Sequence, residues 1–418
     1  MFGDTVRRCE EYAAGGGRSN LNAAIKIASP PVKRGMARKD NSWCNGRRPA
    51  DDMRGLYIHV PFCVQKCKYC DFYSVASRSG VEEYVAAVLQ EAGRYAGQRF
   101  DTLYLGGGTP SLLGPKLLIS LLGGLKESLD LSGVVEAAIE VNPDSATREL
   151  LEAARATGIN RVSIGVQSLD DRELKAVGRI HCAQQAIETI GLATRLGFKS
   201  VSADLIVGLP GQSWTSLSKS LGAVVEMGVG HLSLYCLSLE EGTPLAEDPP
   251  KNLPMDDEQV ELFERARALL ETSGFVHYEI SNFARPGHEC LHNLNYWRGG
   301  EYVGLGPAAA SHLDGKRFKN RNDVDAYVKD SGAQTESIEK LSIGDKACEE
   351  VMLRLRLLRE GVDAGVLATK FGAGNIAALV TRLDGMVREG ALEYRDSCYR
   401  LKPARVLTSN PIFAEVLG

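Results

Sequence analysis

Apolar strand-like runs alternate with helically spaced segments from Leu56 to Leu237, six times over. The runs are Leu56–Val60, Thr102–Leu105, Ala138–Val141, Arg161–Val166, Val201–Val207 and His231–Leu237. Between them lie helical patterns at Val81–Ala96, Pro115–Leu129, Thr147–Ala156, Cys182–Leu196 and Trp214–Met227. Strands separated by helices pair in parallel, because only a long crossover returns the chain to the same end of the sheet. The expected fold is therefore α/β, a partial TIM-like (β/α)6 barrel. Such barrels place their chemistry at the C-terminal ends of the strands.

The residues at those strand ends bear this out in kind. Strand one runs into three cysteines, Cys63, Cys67 and Cys70, and strand two into Gly106-Gly107-Gly108-Thr109-Pro110. Strand three carries Glu140, strand four ends at Gln167, strand five carries Asp204, and strand six brings Tyr235 and Ser238. Taken singly, a glycine run is also a turn, and Glu140 or Asp204 also suits a structural partner of the backbone or of Arg161. Six polar strand ends converging on one mouth favour a site.

Three thiolates on one loop suit an iron–sulfur cube held at three corners, with the fourth iron open to another ligand. The same spacing also fits a redox dithiol, or a zinc site completed by His59. Ten cysteines in a chain whose first residues are too charged for a secretory segment imply a reducing, cytoplasmic setting. A disulfide framework does not fit.

Residues 1–54 carry eleven Lys/Arg against six Asp/Glu, whereas the whole chain has a net charge of -4, which leaves -9 for the remainder. An acidic body argues against nucleic acid as a partner. Residues 1–52, with Gly15–Gly17 and Pro30-Pro31, read as a disordered basic extension or a start-site artefact, and Met53 as a natural start. No run is long and apolar enough for an integral membrane segment.

The barrel pattern is expected over 53–245 and an extension over 246–345, with a long amphipathic helix at Asp256–Ser273. Over 346–418, helices at Ala347–Arg359, Ala364–Phe371 and Asn375–Glu389 precede two short strands, Leu392–Tyr394 and Cys398–Leu401. Three helices and a hairpin resemble a winged-helix module. Its eleven basic and nine acidic residues are too balanced for a nucleic-acid footprint, so a packing or lid domain is expected.

The C-x-x-x-C-x-x-C loop followed by G-G-G-T-P resembles the radical S-adenosylmethionine (SAM) superfamily. The runs L-Y-I-H-V-P-F-C, E-V-N-P-D, G-V-Q-S-L-D and D-L-I-V-G-L-P-G-Q are similar to the coproporphyrinogen dehydrogenase-like family within it. That resemblance implies a 4Fe–4S cluster on Cys63, Cys67 and Cys70, and SAM bound at its open iron. It implies SAM contacts from Tyr57, Tyr69, Gly107, Gly108, Thr109, Glu140, Gln167, Arg179, Asp204 and Ser238. Two features separate the branches. The dehydrogenases carry a fourth cysteine where this chain has Phe72, and the HemW heme-chaperone branch carries the H-N-x-x-Y-W found here as His292-Asn293-Leu294-Asn295-Tyr296-Trp297.

The resemblance thus implies a protein that binds heme and passes it to heme-accepting proteins, with an electron donor for the cluster and with homodimer formation as an option. The alternative is oxygen-independent oxidative decarboxylation of coproporphyrinogen III to protoporphyrinogen IX; whether the chain is an enzyme stays open. By residue type alone His292 is a satisfied core histidine; the resemblance makes His292, Asn293, Tyr296 and Trp297 heme contacts. His292 is then a candidate ligand of the heme iron, with Cys290 and His288 as competitors.

Overall fold

The computed structural model describes residues 53–332, 335–339 and 341–418, and the basic extension at 1–52 lies outside the described residues. Each expected strand forms: β1 (Arg54–Val60), β2 (Thr102–Gly107), β3 (Glu136–Val141), β4 (Arg161–Gln167), β5 (Ser200–Val207) and β6 (His231–Cys236). Neighbours pair in parallel in sequence order, with Tyr57 opposite Tyr104 and Asp204 opposite Ser233. The connecting helices are α1 (Val81–Ala92), α2 (Gly114–Ser128), α3 (Arg148–Ala156), α4 (Ala183–Arg195) and α5 (Trp214–Glu226). Thr147 starts α3 by accepting the Leu150 amide, and Ser213 starts α5 by accepting that of Ser216.

Alternation along each strand divides its residues between two faces. In β1, Leu56, Ile58 and Val60 are fully buried under the helices, while Tyr57 lines the barrel interior. In β2, Leu103 and Leu105 join the core and Tyr104 points inward. The inward face is polar nearly throughout: Glu140, Ser163, Ser202, Asp204 and Ser233 line one interior cavity. An apolar barrel would have filled this space with branched aliphatics.

Beyond β6 the chain adds α6 (Asp256–Thr272), then β7 (Val276–His277) and β8 (Asn282–Ala284), which extend the sheet antiparallel from β6. It then crosses beneath the barrel through α7 (Leu291–Trp297) to β9 (Glu301–Leu305), which pairs parallel with β1. This makes a seventh parallel strand that the sixfold pattern did not contain. Its run, E-Y-V-G-L, is short and sits in a Gly- and aromatic-rich stretch, and the helix that leads to it has only 7 residues. Strands β10 (Ala310–Leu313), β11 (Lys316–Asn320) and β12 (Thr335–Glu339) complete a sheet of 12 strands.

At the C-terminus α8 spans Ile343–Arg354, four residues earlier than its pattern suggested, because Ser342 and Asp345 form a reciprocal capping box. Helices α9 (Ala364–Phe371) and α10 (Ala373–Arg388) follow. The hairpin strands β14 (Leu392–Arg395) and β15 (Cys398–Leu401) are joined by β13 (Val362–Asp363), giving three strands where two were expected. A last helix, α11 (Ser409–Leu417), buries Ile412, Phe413 and Val416. No helix among the described residues is long and apolar enough to cross a membrane.

Candidate functional site

The mouth of the barrel is built where β1, β2, β3 and β4 end. Cys63, Cys67 and Cys70 are all free thiols. Cys63 is buried and accepts a hydrogen bond from Thr109 Oγ1 at 3.5 Å. Cys67 accepts one from Arg179 at 3.5 Å, and the Cys70 amide closes a turn on the Cys67 carbonyl at 3.2 Å. Burial pushes the Cys70 thiol up to about 11, with the nearby Cys67 and Cys63 adding to the shift. The glycine loop and Arg179 thus hold the cysteine loop from two sides. Tyr69, between two of the cysteines, packs on Val177, Ile206 and Leu209.

Glycines 107 and 108 are required by the protein's own packing. Gly107 has φ +107°, and a Cβ there would sit 2.7 Å from the His59 ring; one on Gly108 would sit 2.7 Å from the Phe62 carbonyl oxygen. Side chains at either place would drive the glycine turn away from the end of β1 and the residues that lead into the cysteine loop. His59 is spent as well: its Nδ1 meets the Tyr57 hydroxyl at 3.1 Å and its Nε2 the Tyr73 carbonyl at 2.9 Å. Burial lowers it to about 4, so the ring is neutral, and both of its nitrogens are already engaged by protein groups. Among the described residues no three His, Cys, Asp or Glu side chains converge on a single-ion site. A cube needs no such convergence, since its thiolates bind different irons.

Just inside the mouth stand two half-buried carboxylates. Glu140 accepts the Tyr104 hydroxyl at 2.8 Å and the Gly107 amide at 3.2 Å. Asp204 accepts Ser163 at 3.0 Å and Ser202 at 3.4 Å. Burial pushes Glu140 up to about 7, and Asp204 adds to it; Asp204 is raised too, again first by burial. Their bonding partners are hydroxyls and an amide, so a cationic ligand entering here would favour both ionised forms. A sulfonium nucleoside with an ammonium group fits that requirement, and three free thiols at the same mouth fit a cluster. Arg161, weighed as a partner for these carboxylates, instead pairs with Glu136 at 2.8 Å, lower in the barrel.

Gln167 ends β4 with φ +64°, an uncommon conformation for a side-chain-bearing residue, beside a register shift in the β4–β5 ladder. Ser238 lies outside the barrel proper, exposed and donating to Glu240 at 2.6 Å. One mouth residue escaped the reading of the sequence. Asn142 takes Arg179 on its Oδ1 at 2.7 Å and donates to Thr109 at 3.1 Å, tying the two supports of the cysteine loop together. Its signal is the E-V-N-P-D run, which carries the family likeness without assigning Asn142 a role.

The His292 motif lies at the opposite end. Helix α7 crosses the N-terminal ends of the strands as a floor. His292 is 1% exposed, with Nδ1 2.8 Å from Thr102 Oγ1 and Nε2 2.9 Å from the Tyr296 hydroxyl. Burial lowers it to about 4. Asn293 lines the interior cavity, whereas Trp297 turns away from it and packs against the core beneath Arg356, whose guanidinium carbon is 4.2 Å from the ring centre. Cys290 is buried, with its sulfur 3.5 Å from Glu136, and His288 lies 3.4 Å from Ser200. The motif residues are therefore grouped together but separated from the cysteines by the depth of the barrel.

Comparison with known proteins gives a consistent picture. The radical SAM superfamily profile matches residues 57–222. The chain is 39% identical over 312 residues to the heme chaperone HemW of Escherichia coli (strain K12), covering 72% of this chain and 82% of that protein. It is 35% identical over 378 residues to the heme chaperone HemW of Mycobacterium tuberculosis (strain H37Rv), covering 87% and 95%. Among solved structures, coproporphyrinogen III oxidase (HemN) from Escherichia coli, a radical SAM enzyme, superposes with a TM-score of 0.77 at 23% identity, over 88% of this chain and 91% of that one.

Proposed function

Because this chain belongs to the HemW branch of the radical SAM superfamily, we propose that it binds heme and transfers it to acceptor proteins. Superfamily membership implies a 4Fe–4S cluster and SAM. Cys63, Cys67 and Cys70 would hold the cluster, which supplies an open iron for SAM and single electrons from a donor protein. Thr109 and Arg179 fix the thiols, while Glu140 and Asp204 offer negative charge to the SAM cation. Tyr57, Tyr69, Gly107, Gly108, Gln167 and Ser238 complete the proposed SAM surroundings. A cytoplasmic setting and self-association to a homodimer belong to the same proposal.

An identity of 39% to a heme chaperone, in an alignment that covers 82% of that protein, carries the reading. The likeness to HemN concerns the fold. Phe72 stands, 36% exposed, where the dehydrogenases carry a fourth cysteine, which favours transport over oxidation. The heme surface is proposed around His292, Asn293, Tyr296 and Trp297. Support comes from a cavity of about 220 Å³ outside the floor, lined by Tyr296, Leu353, Phe371, Arg317, Lys346 and Lys370. Its apolar walls suit a flat ring, while Arg317 pairs with Glu349 and Lys370 with Glu350, and Glu301 on the same lining offsets Lys346, so the support concerns the ring and not its carboxylates. Ligation by His292 requires the Tyr296 hydroxyl to leave Nε2.

The test is heme titration of the anaerobically reconstituted protein and of His292→Ala, beside a coproporphyrinogen III assay with SAM and a reductant. A Soret band at stoichiometric heme, shifted or weakened in the variant, is expected, with no protoporphyrinogen formed. Turnover to protoporphyrinogen without heme binding would replace this reading with the enzymatic one.

A further inference from the structure

A column of rings joins the two ends of the barrel. At the mouth, Tyr57 bonds His59, and its ring stacks on Tyr104 with centroids 6.3 Å apart and planes at 28°. Tyr104 stacks in turn on His292, at 5.1 Å and 23°. The His292 ring meets Tyr296 edge-on at 4.8 Å, and Tyr296 meets Tyr302 at 4.6 Å. Tyr104 is the member that touches both functional ends, because its hydroxyl also donates to Glu140 at 2.8 Å.

The floor ring has little freedom of its own. A Cβ on Gly55 would approach His292 Cε1 to 3.0 Å, and both ring nitrogens are bonded. Interiors packed this closely pass a tilt of one ring to its neighbour. A cation drawn to the Glu140 carboxylate competes with the Tyr104 hydroxyl for Oε1, since Oε2 accepts the Gly107 amide. Once that bond is exchanged, nothing polar among the contacts described fixes the angle of the Tyr104 ring against His292.

We propose that Tyr104 is a positioning residue that couples occupancy of the Glu140 side of the barrel by a cationic sulfonium nucleoside to the hydrogen bonding of the floor histidine, His292. Ligand at the mouth loosens the His292–Tyr296 bond and exposes Nε2 toward the heme surface. Thermodynamic linkage makes the effect mutual: heme at the floor changes affinity at the mouth by the same factor. The inference rests on the SAM and heme assignments above.

The experiment uses the reconstituted full chain with ¹⁵N-labelled histidine, and His292→Gln identifies the signal of interest. Saturating SAM is expected to shift the His292 imidazole nitrogen resonances in wild type. In Tyr104→Phe, which keeps the stacked ring and loses the bond to Glu140, that shift disappears at SAM concentrations that saturate the variant. In parallel, SAM changes heme affinity of wild type by about fivefold or more, the lower end of usual coupling, and leaves that of Tyr104→Phe unchanged. An immobile His292 signal in SAM-loaded wild type overturns the coupling, as does an equal shift in the variant. Failure of heme to bind either protein would strike the chaperone reading alone, since the nitrogen signals report the coupling without heme.

Discussion

One buried ion pair secures the floor of the barrel. Arg161, 3% exposed, donates to Glu136 at 2.8 Å and also to the carbonyls of His288 and Glu289 at 2.6 and 2.7 Å. Glu136 accepts the His292 amide at 2.9 Å. Burial alone would raise the Glu136 carboxyl, but the Arg161 guanidinium holds it below its usual value. Arg161→Met leaves that carboxylate buried and unpaired, and should cost about 3–5 kcal/mol in denaturant unfolding, as breaking such pairs does. A loss under about 1 kcal/mol would show that the pair is dispensable. Which carboxylate Arg161 takes was not legible in the sequence. Strand alternation gives the face of Arg161, Glu136 and Glu140 alike, but the layer depends on inter-strand register, which periodicity does not encode. The free thiols beside the glycine turn were legible, because both lie on loops directly after adjacent strands. Asn142 was not, because an Asn-Pro after a strand is also an ordinary turn.

At the scale of elements, the polar inner faces of β5 and β6 tie the barrel wall to the returning chain. His231 meets Ser202 through Nδ1 at 2.7 Å and the Tyr278 hydroxyl through Nε2 at 2.9 Å, and Tyr278 accepts the Cys290 amide at 3.2 Å. Burial first, then the positive Arg161 and the neighbouring His288, hold His231 well below its ordinary 6.5. The folded ring stays neutral while the unfolded one takes a proton. Its contribution to stability is therefore present above pH 6.5 and lost as pH falls below that value. His231→Asn should flatten the pH dependence of unfolding free energy between about pH 6 and 5, by up to about 1.4 kcal/mol per pH unit. Equal slopes for wild type and variant in urea titrations would deny the ring that role. The strands themselves were readable from their apolar runs. The return through β8, α7 and β9 was not, since three-to-seven-residue elements in a Gly- and aromatic-rich stretch carry too little periodicity.

Among the described residues, two proposed functional ends are joined by a polar interior, with a C-terminal module set against the lower one. The barrel and its mouth could be inferred from the order of strands and motifs. The position of the His292 motif could not, because it depends on the chain crossing from one margin of the sheet to the other beneath the strands. One contact between that floor and the C-terminal module runs through Arg356, beside the Arg298–Glu360 ion pair. Its guanidinium carbon lies 4.2 Å from the Trp297 ring centre and 5.5 Å from that of Phe413 in α11. Phe413 is fully buried, so Arg356 joins the end of α7 to the module's core. Desolvated contacts of this kind are worth up to about 2 kcal/mol. Arg356→Met keeps much of the apolar stem and removes both the ring contacts of the charge and its attraction for the buried Glu279 carboxylate. Hydrogen exchange in Leu291–Trp297 should then quicken by about tenfold, corresponding to about 1.4 kcal/mol of lost protection. Exchange in the loop from Cys63 to Cys70 should stay as in wild type, since its supports, Thr109 and Arg179, lie at the other end of the barrel. Uniform acceleration along the chain would mean that Arg356 serves global stability and does not specifically fasten the floor.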